Sequence, residues 1–383
     1  MNTTLLELVR ATVARTPEAP AALIEGQVVN YRHLNALVCV ATRDFHARGI
    51  GPGEVVAVST GQGLLAIIAL LALANLGAVS VTMVPGLGTV RASLCRRYGA
   101  RRVVLSDQAA AIDGVESLVL ASLQAQGHET MHGLDDFSPR AETPVRIALA
   151  SGSAGETKGV VQTHGDLERR LRNSFWDTRS SSRVLPPNLE DTASLMMCFS
   201  ALRDGGLLVL PKSGSDLAAV LLAVQVHGVT HLVLSRASLV STLALLPADG
   251  PAFPSLTHLR IAGGPPPTEI LTGACKRITP NVYLTYATSE LGVISLATPE
   301  TLARAPRSSG RVASHACVEV VDESGRKVAP GGTGELRIAV EDMPQGYHAA
   351  DDASGSRFRD GWFHPGDRGH IGADGLLYVE RNR

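Results

Sequence analysis

Short valine-rich segments alternate with helical segments over most of the 383-residue chain, and this alternation is the strongest restriction on its fold. In the first part of the chain, strands are predicted near residues 54–59, 78–84 and 102–105. A second series of predicted strands lies near residues 145–149, 207–210, 231–234, 256–261 and 282–286. The segments between these strands have the length of crossover helices, which is typical of a parallel sheet with helices on its faces. The chain is therefore predicted to be an α/β protein.

The chain is too long for one hydrophobic core, because single cores stop growing at about 250–300 residues. Residues 121–144 are polar and interrupted by glycine, which indicates a linker. After residue 291 the sequence changes to turns and short strands, which indicates a small β subdomain. We expect two stacked, doubly wound α/β subdomains at residues 1–143 and 144–290, and a small β-rich subdomain at residues 291–383.

The charge balance and the cysteine pattern exclude several kinds of partner and compartment. The chain has 35 basic and 36 acidic residues, so no net field would gather nucleic acid or an anionic membrane surface. Its five cysteines are scattered singly, which is expected of reduced thiols in the cytoplasm. At the N-terminus, Thr4 and Glu7 form a capping-box pattern, which predicts an amphipathic helix in place of a signal peptide.

Residues 64–84 carry no charge over a length that could span a bilayer. However, Asn75 and Gly77 form a helix stop signal, and the residues after them are rich in valine, serine and threonine. We therefore predict a helix followed by a strand within a buried layer, and no membrane span.

The loop at residues 150–159 is the strongest local signal for a function. Its sequence, ASGSAGETKG, follows a predicted strand and offers backbone N–H groups, hydroxyls and the charge of Lys158, which together can hold a polyphosphate. The alternative is a flexible turn of small residues. The loop is not a Walker A motif, because Lys158 is followed by Gly159. It is not a nucleophile elbow either, because neither Ser151 nor Ser153 lies in a GxSxG pattern.

Residues 128–132, HETMH, match the HExxH pattern of zinc peptidases, in which two imidazoles lie one helical turn apart. Gly127 and Gly133 flank this match within the polar linker, where a continuous helix is not expected. We therefore predict that His128 and His132 bind no zinc.

Three later segments carry groups suited to a nucleotide. AGGPP at residues 262–266 and YATSE at residues 286–290 each follow a predicted strand, and GWFHPGD occupies residues 361–367. Loops at the carboxyl ends of parallel strands line one crevice, so the phosphate loop and the first two segments are expected to meet there. The three segments offer a backbone wall and a ring for a base, a hydroxyl and a carboxylate for phosphate and Mg²⁺, and an aspartate for ribose.

In this order, the segments resemble the motifs of the adenylate-forming superfamily, which comprises acyl- and aryl-CoA synthetases, peptide-synthetase adenylation domains and luciferases. Residues 150–159 are similar to the family's phosphate loop, TSG[ST]TGxPKG. The resemblance covers essentially the whole chain and implies catalytic roles for Lys158, Ser289 and Glu290, with Glu290 as the Mg²⁺ ligand. It implies nucleotide binding by Ser151, Gly152, Ser153, Gly155, Gly264, Pro265, Tyr286, Asp367 and Arg381, with Tyr286 stacked on adenine and Asp367 bound to ribose.

The resemblance also implies a reaction in two steps. A carboxylate attacks the α-phosphorus of Mg·ATP to give an acyl-adenylate and pyrophosphate, and a thiol then takes the acyl group. The thiol would belong to CoA or to the phosphopantetheine of a carrier protein. The expected substrate is a small acyl or aryl acid, with an amino acid as the alternative.

The sequence departs from the family motifs in ways that bear on activity. Four replacements concern the nucleotide loops: Ala150 and Ala154 for hydroxyl-bearing residues, Thr157 for the loop proline, and Pro365 for the threonine of TGD. Loss of two hydroxyls would weaken phosphate binding about ten-fold or more, which keeps open a core that binds nucleotide or acyl-adenylate without forming the adenylate. The family's smaller C-terminal lid domain would follow Arg383, so we expect this chain to end at the hinge without it.

Two residues are candidates for the acid pocket. Asp191 lies near the position at which peptide-synthetase domains hold an α-ammonium group. Arg236 follows a predicted strand and would either bind a second carboxylate or lie solvated at the start of a helix.

Overall fold

The computed structural model describes residues 4–86, 88–120, 124–125, 127, 129, 139–151, 157–211, 216–341, 343–348 and 357–380. The chain divides into two compact units. The first contains Met1–Arg172 and Asp177–Ala223, and the second contains Asn173–Trp176 and Val224–Arg383. The expected division into three parts at residues 143 and 290 stays a prediction.

The first unit alternates helices with short strands. Its helices are α1 (Leu5–Arg15), α2 (Tyr31–Ala47), α3 (Gly63–Asn75), α4 (Gly88–Tyr98), α5 (His164–Arg172) and α6 (Thr192–Asp204), and α7 (Leu217–His227) begins in it. Its strands are β1 (Pro20–Ile24), β2 (Gln27–Asn30), β3 (Val55–Val58), β4 (Val79–Thr82), β5 (Arg102–Leu105), β6 (Glu116–Val119), β7 (Pro144–Ser151), β8 (Thr157–Thr163), β9 (Arg183–Leu185) and β10 (Leu207–Val209).

Six strands of the first unit form a sheet in the order β6-β5-β3-β4-β7-β8. All its pairs are parallel except β7 with β8. In the other strand group of this unit, β10 is parallel to β1 and β9, and β2 is antiparallel to β1. The predicted α/β class is therefore confirmed.

The uncharged stretch of the sequence forms α3 and then β4, as predicted. Ala66 to Asn75 of α3 are all buried, and so are the four residues of β4. Among the helices that the structure describes, none is long and apolar enough to cross a membrane. The hydrophobicity of this stretch therefore serves packing inside the first unit.

The second unit contains the end of α7, three complete helices and eleven strands within its described residues. The helices are α8 (Arg236–Leu245), α9 (Thr268–Arg277) and α10 (Pro299–Arg304). The strands are β11 (His231–Ser235), β12 (His258–Ala262), β13 (Val282–Thr288), β14 (Gly292–Ala297), β15 (Arg311–Val312), β16 (Ala316–Val321), β17 (Gly334–Val340), β18 (Phe358–Arg359), β19 (Trp362–Phe363), β20 (Arg368–Ile371) and β21 (Leu377–Glu380).

Two strand groups form the second unit. β11, β12 and β13 are parallel, and β14 and β15 continue this group in antiparallel pairing. β16 to β21 form an antiparallel sheet, which is the β-rich region expected after residue 291. A hydrophobic cluster joins Leu336 of β17 and Phe363 of β19 in this sheet to Tyr286 of β13.

A buried arginine fixes residues 173–176 to the second unit. Arg260 on β12 donates to the carbonyls of the two residues before Trp176, at 2.8 and 2.7 Å, and its guanidinium lies 3.6 Å from the centre of a Trp176 ring. His258, on the same strand, stacks on Tyr283 with ring centres 3.9 Å apart. Burial lowers the pKa of Arg260 to about 9 and the pKa of His258 to about 2.

The helix α1 is held at its start by a histidine in the first unit. Its capping box is present, because Glu7 accepts from the backbone N–H of Thr4 at 2.6 Å. The backbone N–H of Leu5 donates to Nδ1 of the buried His164 at 3.3 Å, which requires the ring to be neutral at that atom. Burial lowers the pKa of His164 to about 4.

Lowering the pH from about 7.5 to about 5 should cost about 2 kcal/mol of stability for each of His164 and His258. The pKa of both is 6.5 when exposed and lies lower in the folded protein, so only the unfolded chain takes up these protons. The contribution of these two histidines to the free energy of unfolding is therefore complete above pH 6.5 and decreases as the pH falls below 6.5. Urea unfolding at the two pH values measures the loss, and His164→Asn, which keeps an acceptor, should reduce it by about half. Equal free energies of unfolding at both pH values would contradict this prediction.

Candidate functional site

The β7–β8 hairpin frames the predicted phosphate loop in the first unit. In its antiparallel register, Lys158 lies opposite Ala150, and Thr157 lies opposite Ser151. Lys158 is half-buried, and the next residue, Gly159, is buried. Lys158 is thus the second residue of β8, near the end of the loop at residues 150–159, and its role as a cation for phosphate stays a prediction.

The turn after β12 holds Gly264 and Pro265, which the resemblance gives to a nucleotide base. Gly263 and Gly264 have φ angles of +100° and +93°. Two successive angles in this region are accessible without strain only to glycine. The turn therefore places backbone without side chains directly before Pro265, which suits a flat wall for a base.

Tyr286 and Asp367 are in direct contact in the second unit. The Tyr286 hydroxyl donates to Oδ2 of Asp367 at 2.8 Å, although the two residues are 81 positions apart. Sheet topology alone did not predict that the segment at residues 361–367 would reach the others. The Tyr286 ring is only 2% exposed, so stacking on adenine would require this ring to be uncovered.

The turn before Asp367 is held by charged side chains. Arg357 donates to the carbonyl of His364 at 3.2 Å and also to the carbonyl of Pro365. The buried His364 ring contacts Glu335 through Nδ1 at 3.2 Å, and its burial lowers the pKa of this histidine. These contacts fix the turn that carries Asp367, at the position where proline replaces the family's threonine.

Glu290 lies just after β13 and is almost fully buried, with 7% exposure. The hydroxyl of Tyr347 donates to its Oε1 at 2.6 Å. Burial raises the pKa of Tyr347, and the neighbouring Glu290 charge raises it further, so the phenol stays protonated as a donor. Tyr347 packs edge-on against Phe358, with ring centres 5.3 Å apart. No sequence pattern pointed to Tyr347, because its partner is 57 positions away.

The donor set around Glu290 fits a Mg²⁺ ion bound together with a nucleotide. Mg²⁺ in nucleotide sites is typically held by one or two carboxylates, with phosphate oxygens and water as the other ligands. Among the residues that the structure describes, no group of three or more His, Cys, Asp or Glu side chains could hold a metal by itself. Glu290 supplies one carboxylate, which is within the one or two that such a nucleotide-bound metal uses.

Comparison with known proteins shows the family of this chain. The model of the AMP-binding enzyme family matches residues 9–348. The chain belongs to this family. The 2-succinylbenzoate–CoA ligase of Bacillus cereus is 27% identical over 381 residues, which cover 95% of this chain and 75% of that protein. The feruloyl-CoA synthase of Amycolatopsis sp. is 27% identical over 378 residues, again with 95% and 75% covered.

A solved structure of the same fold is also similar. O-succinylbenzoate coenzyme A synthetase (MenE) from Bacillus subtilis, in complex with ATP and magnesium ion, has a TM-score of 0.85 and 21% identity to this chain. The similarity covers 99% of this chain and 79% of that one. At this identity the likeness establishes the fold, which agrees with the resemblance inferred from the sequence.

The two candidates for an acid pocket in this AMP-binding protein have local roles in the structure. Asp191 is the N-cap of α6, where its two carboxylate oxygens accept from the backbone N–H groups of Ala193 and Ser194 at 2.9 and 3.3 Å. Arg236 is exposed and is the first residue of α8. These positions favour helix capping for Asp191 and a solvated helix start for Arg236.

Several predicted site residues lie outside the described part of the structure. They are Gly152, Ser153, Gly155, Arg381 and the side chain of Ser151. His128 and His132, which are predicted to bind no zinc, also lie outside the described residues. The remaining predicted residues fall into two places. Lys158 lies on the hairpin of the first unit, whereas Gly264, Pro265, Tyr286, Ser289, Glu290 and Asp367 lie in the second.

Proposed function

We propose that this AMP-binding enzyme activates a carboxylic acid as an acyl-adenylate with ATP and Mg²⁺, and then transfers the acyl group to CoA. The family match supports the use of the nucleotide. The names of both similar relatives describe enzymes that join an acid to CoA. The likeness to an ATP- and magnesium-bound structure supports the same pair of reactants here.

The contact between Tyr286 and Asp367 carries this proposal. The resemblance gives both residues to the nucleoside, and their 2.8 Å hydrogen bond brings together two motifs that are far apart in sequence. Glu290 follows Tyr286 by four positions and lies just past the same strand. A ribose ligand and a metal ligand on one unit suit a nucleotide whose phosphates extend away from the sugar.

In the first step, an oxygen of the substrate carboxylate forms a bond to the α-phosphorus of ATP. The bond from this phosphorus to the bridging oxygen breaks, and pyrophosphate leaves. Mg²⁺, when bound, would neutralise charge on the phosphate oxygens. The proposed role of Lys158 is to supply a positive charge to phosphate, and that of Ser289 is to supply a hydroxyl donor. Each group would stabilise the transition state more than the ground state.

In the second step, the sulfur of CoA forms a bond to the acyl carbon, and the bond from that carbon to the AMP oxygen breaks. AMP leaves, and the thiol proton passes to solvent. Asp367 would keep the ribose in place through both steps, because it fixes the sugar and not the phosphates. The turn that Arg357 and His364 support would keep Asp367 itself in position.

The acid is proposed to be an aryl acid. Both similar relatives are named for acids with an aromatic ring, 2-succinylbenzoate and ferulate. The amino-acid alternative has less support, because the carboxylate of Asp191 is already engaged in capping α6. A carrier protein is the alternative acceptor, and a cytoplasmic location is proposed because all five cysteines are free thiols.

A panel assay of ATP–pyrophosphate exchange tests this function on the full-length protein. The panel contains aryl acids, straight-chain fatty acids of several lengths and amino acids. We expect exchange with one or more aryl acids to exceed exchange with every amino acid at least about ten-fold. The reason is that an α-ammonium group buried without a partner lowers binding affinity by about ten-fold. Exchange with amino acids alone would contradict the proposed substrate. Binding of Mg·ATP without exchange for any acid would favour a core that binds nucleotide without forming the adenylate.

A further inference from the structure

Tyr98, the last residue of α4, lies against β8, the strand that follows the predicted phosphate loop. Its hydroxyl donates a hydrogen bond to the carbonyl of Thr157 at 3.0 Å. The side chain is 2% exposed, and burial raises the pKa of the phenol, which therefore stays a donor. Both residues belong to the first unit, so this contact lies within one compact body.

The same ring fills the space beside Gly159. A Cβ added at this glycine would lie 2.6 Å from Cε1 of Tyr98 and 2.7 Å from Cγ2 of Ile147. No real side chain approaches so closely, so only glycine at this position lets the ring pack against the strand. Tyr98 thus contacts the residue before Lys158 and the residue after it.

The contact falls at a position where this chain lacks a restraint. In the loop motif that the sequence resembles, a proline precedes the lysine, and Thr157 stands in its place here. Proline fixes φ near −65° and so limits the freedom of the backbone, whereas threonine leaves more of that freedom. The hydrogen bond from Tyr98 on α4 restrains the carbonyl of Thr157, and this restraint comes from outside β8.

We propose that Tyr98 is a positioning residue that fixes the backbone of Lys158 for phosphate binding, in place of the loop proline. This role rests on the proposed function, because it requires Lys158 to meet the phosphates of ATP. Tyr98 touches no substrate itself and acts through the carbonyl of Thr157 and the packing on Gly159.

The test compares two buried tyrosines of the first unit. Tyr98→Phe removes the hydroxyl and keeps the ring, and Tyr31→Phe is the matched control. Tyr31 is fully buried, and its hydroxyl donates to the carbonyl of Gly206 at 2.7 Å, away from the loop. We expect Tyr98→Phe to weaken Mg·ATP binding in calorimetry and to raise the KM for ATP, each by about three- to ten-fold. Tyr31→Phe should change neither, although both variants should lower Tm.

A second variant separates positioning from general loss of stability. Thr157→Pro, introduced into Tyr98→Phe, restores the restraint of the family motif without restoring the hydroxyl. We expect ATP affinity in this double variant to return to within about two-fold of the original protein. Affinity that stays low after this change, or ATP binding in Tyr98→Phe equal to that in Tyr31→Phe, would overturn the proposal.

Hydrogen exchange measured without nucleotide tests the restraint by Tyr98 separately from the proposed function. The amides of Lys158 and Gly159 should exchange faster in Tyr98→Phe than in Tyr31→Phe, whether or not the protein uses ATP. Equal exchange rates would show that the hydroxyl does not restrain the strand. Original protein that binds no Mg·ATP would contradict the proposed function, and with it the role of Tyr98.

Discussion

Replacing Lys158 with alanine should weaken Mg·ATP binding about ten-fold or more and slow acyl-adenylate formation by about two to three orders of magnitude. The binding loss follows from removal of a charge-assisted contact to phosphate, which contributes about 1.5–3 kcal/mol. The loss of rate is larger, because charge on the phosphate oxygens develops further in the transition state. Calorimetry with Mg·ATP and single-turnover adenylate formation measure the two effects separately.

The chain provides a matched control for this prediction. It has four lysines, and Lys276 is exposed in the last turn of α9, outside the predicted site. Lys276→Ala removes the same charge and should leave ATP affinity and rate unchanged. Lys158→Arg keeps the charge with a different shape and should retain more of the affinity than Lys158→Ala. Unchanged ATP affinity in Lys158→Ala would show that the hairpin does not hold phosphate.

Four strands of the six-stranded sheet, β3, β4, β5 and β7, could be predicted because they are local patterns, whereas β6 and β8 were not predicted. β3 and β4 are runs of valine and other small residues that are buried or nearly buried, and such runs are typical of parallel strands covered by helices. The capping box at Thr4 and Glu7 and the stop after α3 are equally local signals. Each of these features depends on residues within a few positions of one another.

The contacts that support the site could not be predicted in this way. The partner of Glu290 is Tyr347, 57 positions later, and the partner of Thr157 is Tyr98, 59 positions earlier. No periodicity or short motif links residues at such separations, because the fold alone brings them together. The sequence predicts which groups carry the chemistry, and the structure shows which side chains contact them.

At two positions where the chain departs from the family motifs, the backbone is held by a side chain from another part of the structure. Thr157, in place of the loop proline, has its carbonyl held by Tyr98. Pro365, in place of the threonine of TGD, has its carbonyl held by Arg357. Each of these two carbonyls is therefore held by a side chain from elsewhere in the fold, at a position where the motif residue is replaced.

Glu290→Gln should raise the Mg²⁺ concentration needed for half-maximal adenylate formation by about ten-fold or more, and should lower the rate at saturating Mg²⁺ by about a hundred-fold. The amide has nearly the shape of the carboxylate and still offers an oxygen to the Tyr347 hydroxyl, but it lacks the charge that a hard cation prefers. Glu269→Gln, at an exposed position in the first turn of α9, is the control and should change neither value.

The Glu290→Gln test is sharper than the Lys158→Ala test, because it can separate metal binding from nucleotide binding. ATP without metal would rely on contacts that do not involve Glu290, so its affinity should be nearly the same in Glu290→Gln and in the original protein. The difference should appear only when Mg²⁺ is added, because Glu290 would contact ATP through the metal alone. Calorimetric titrations with ATP and with Mg·ATP give both values. An equal loss of affinity with and without Mg²⁺ would mean that Glu290 supports the fold around Tyr347 and is not the metal ligand.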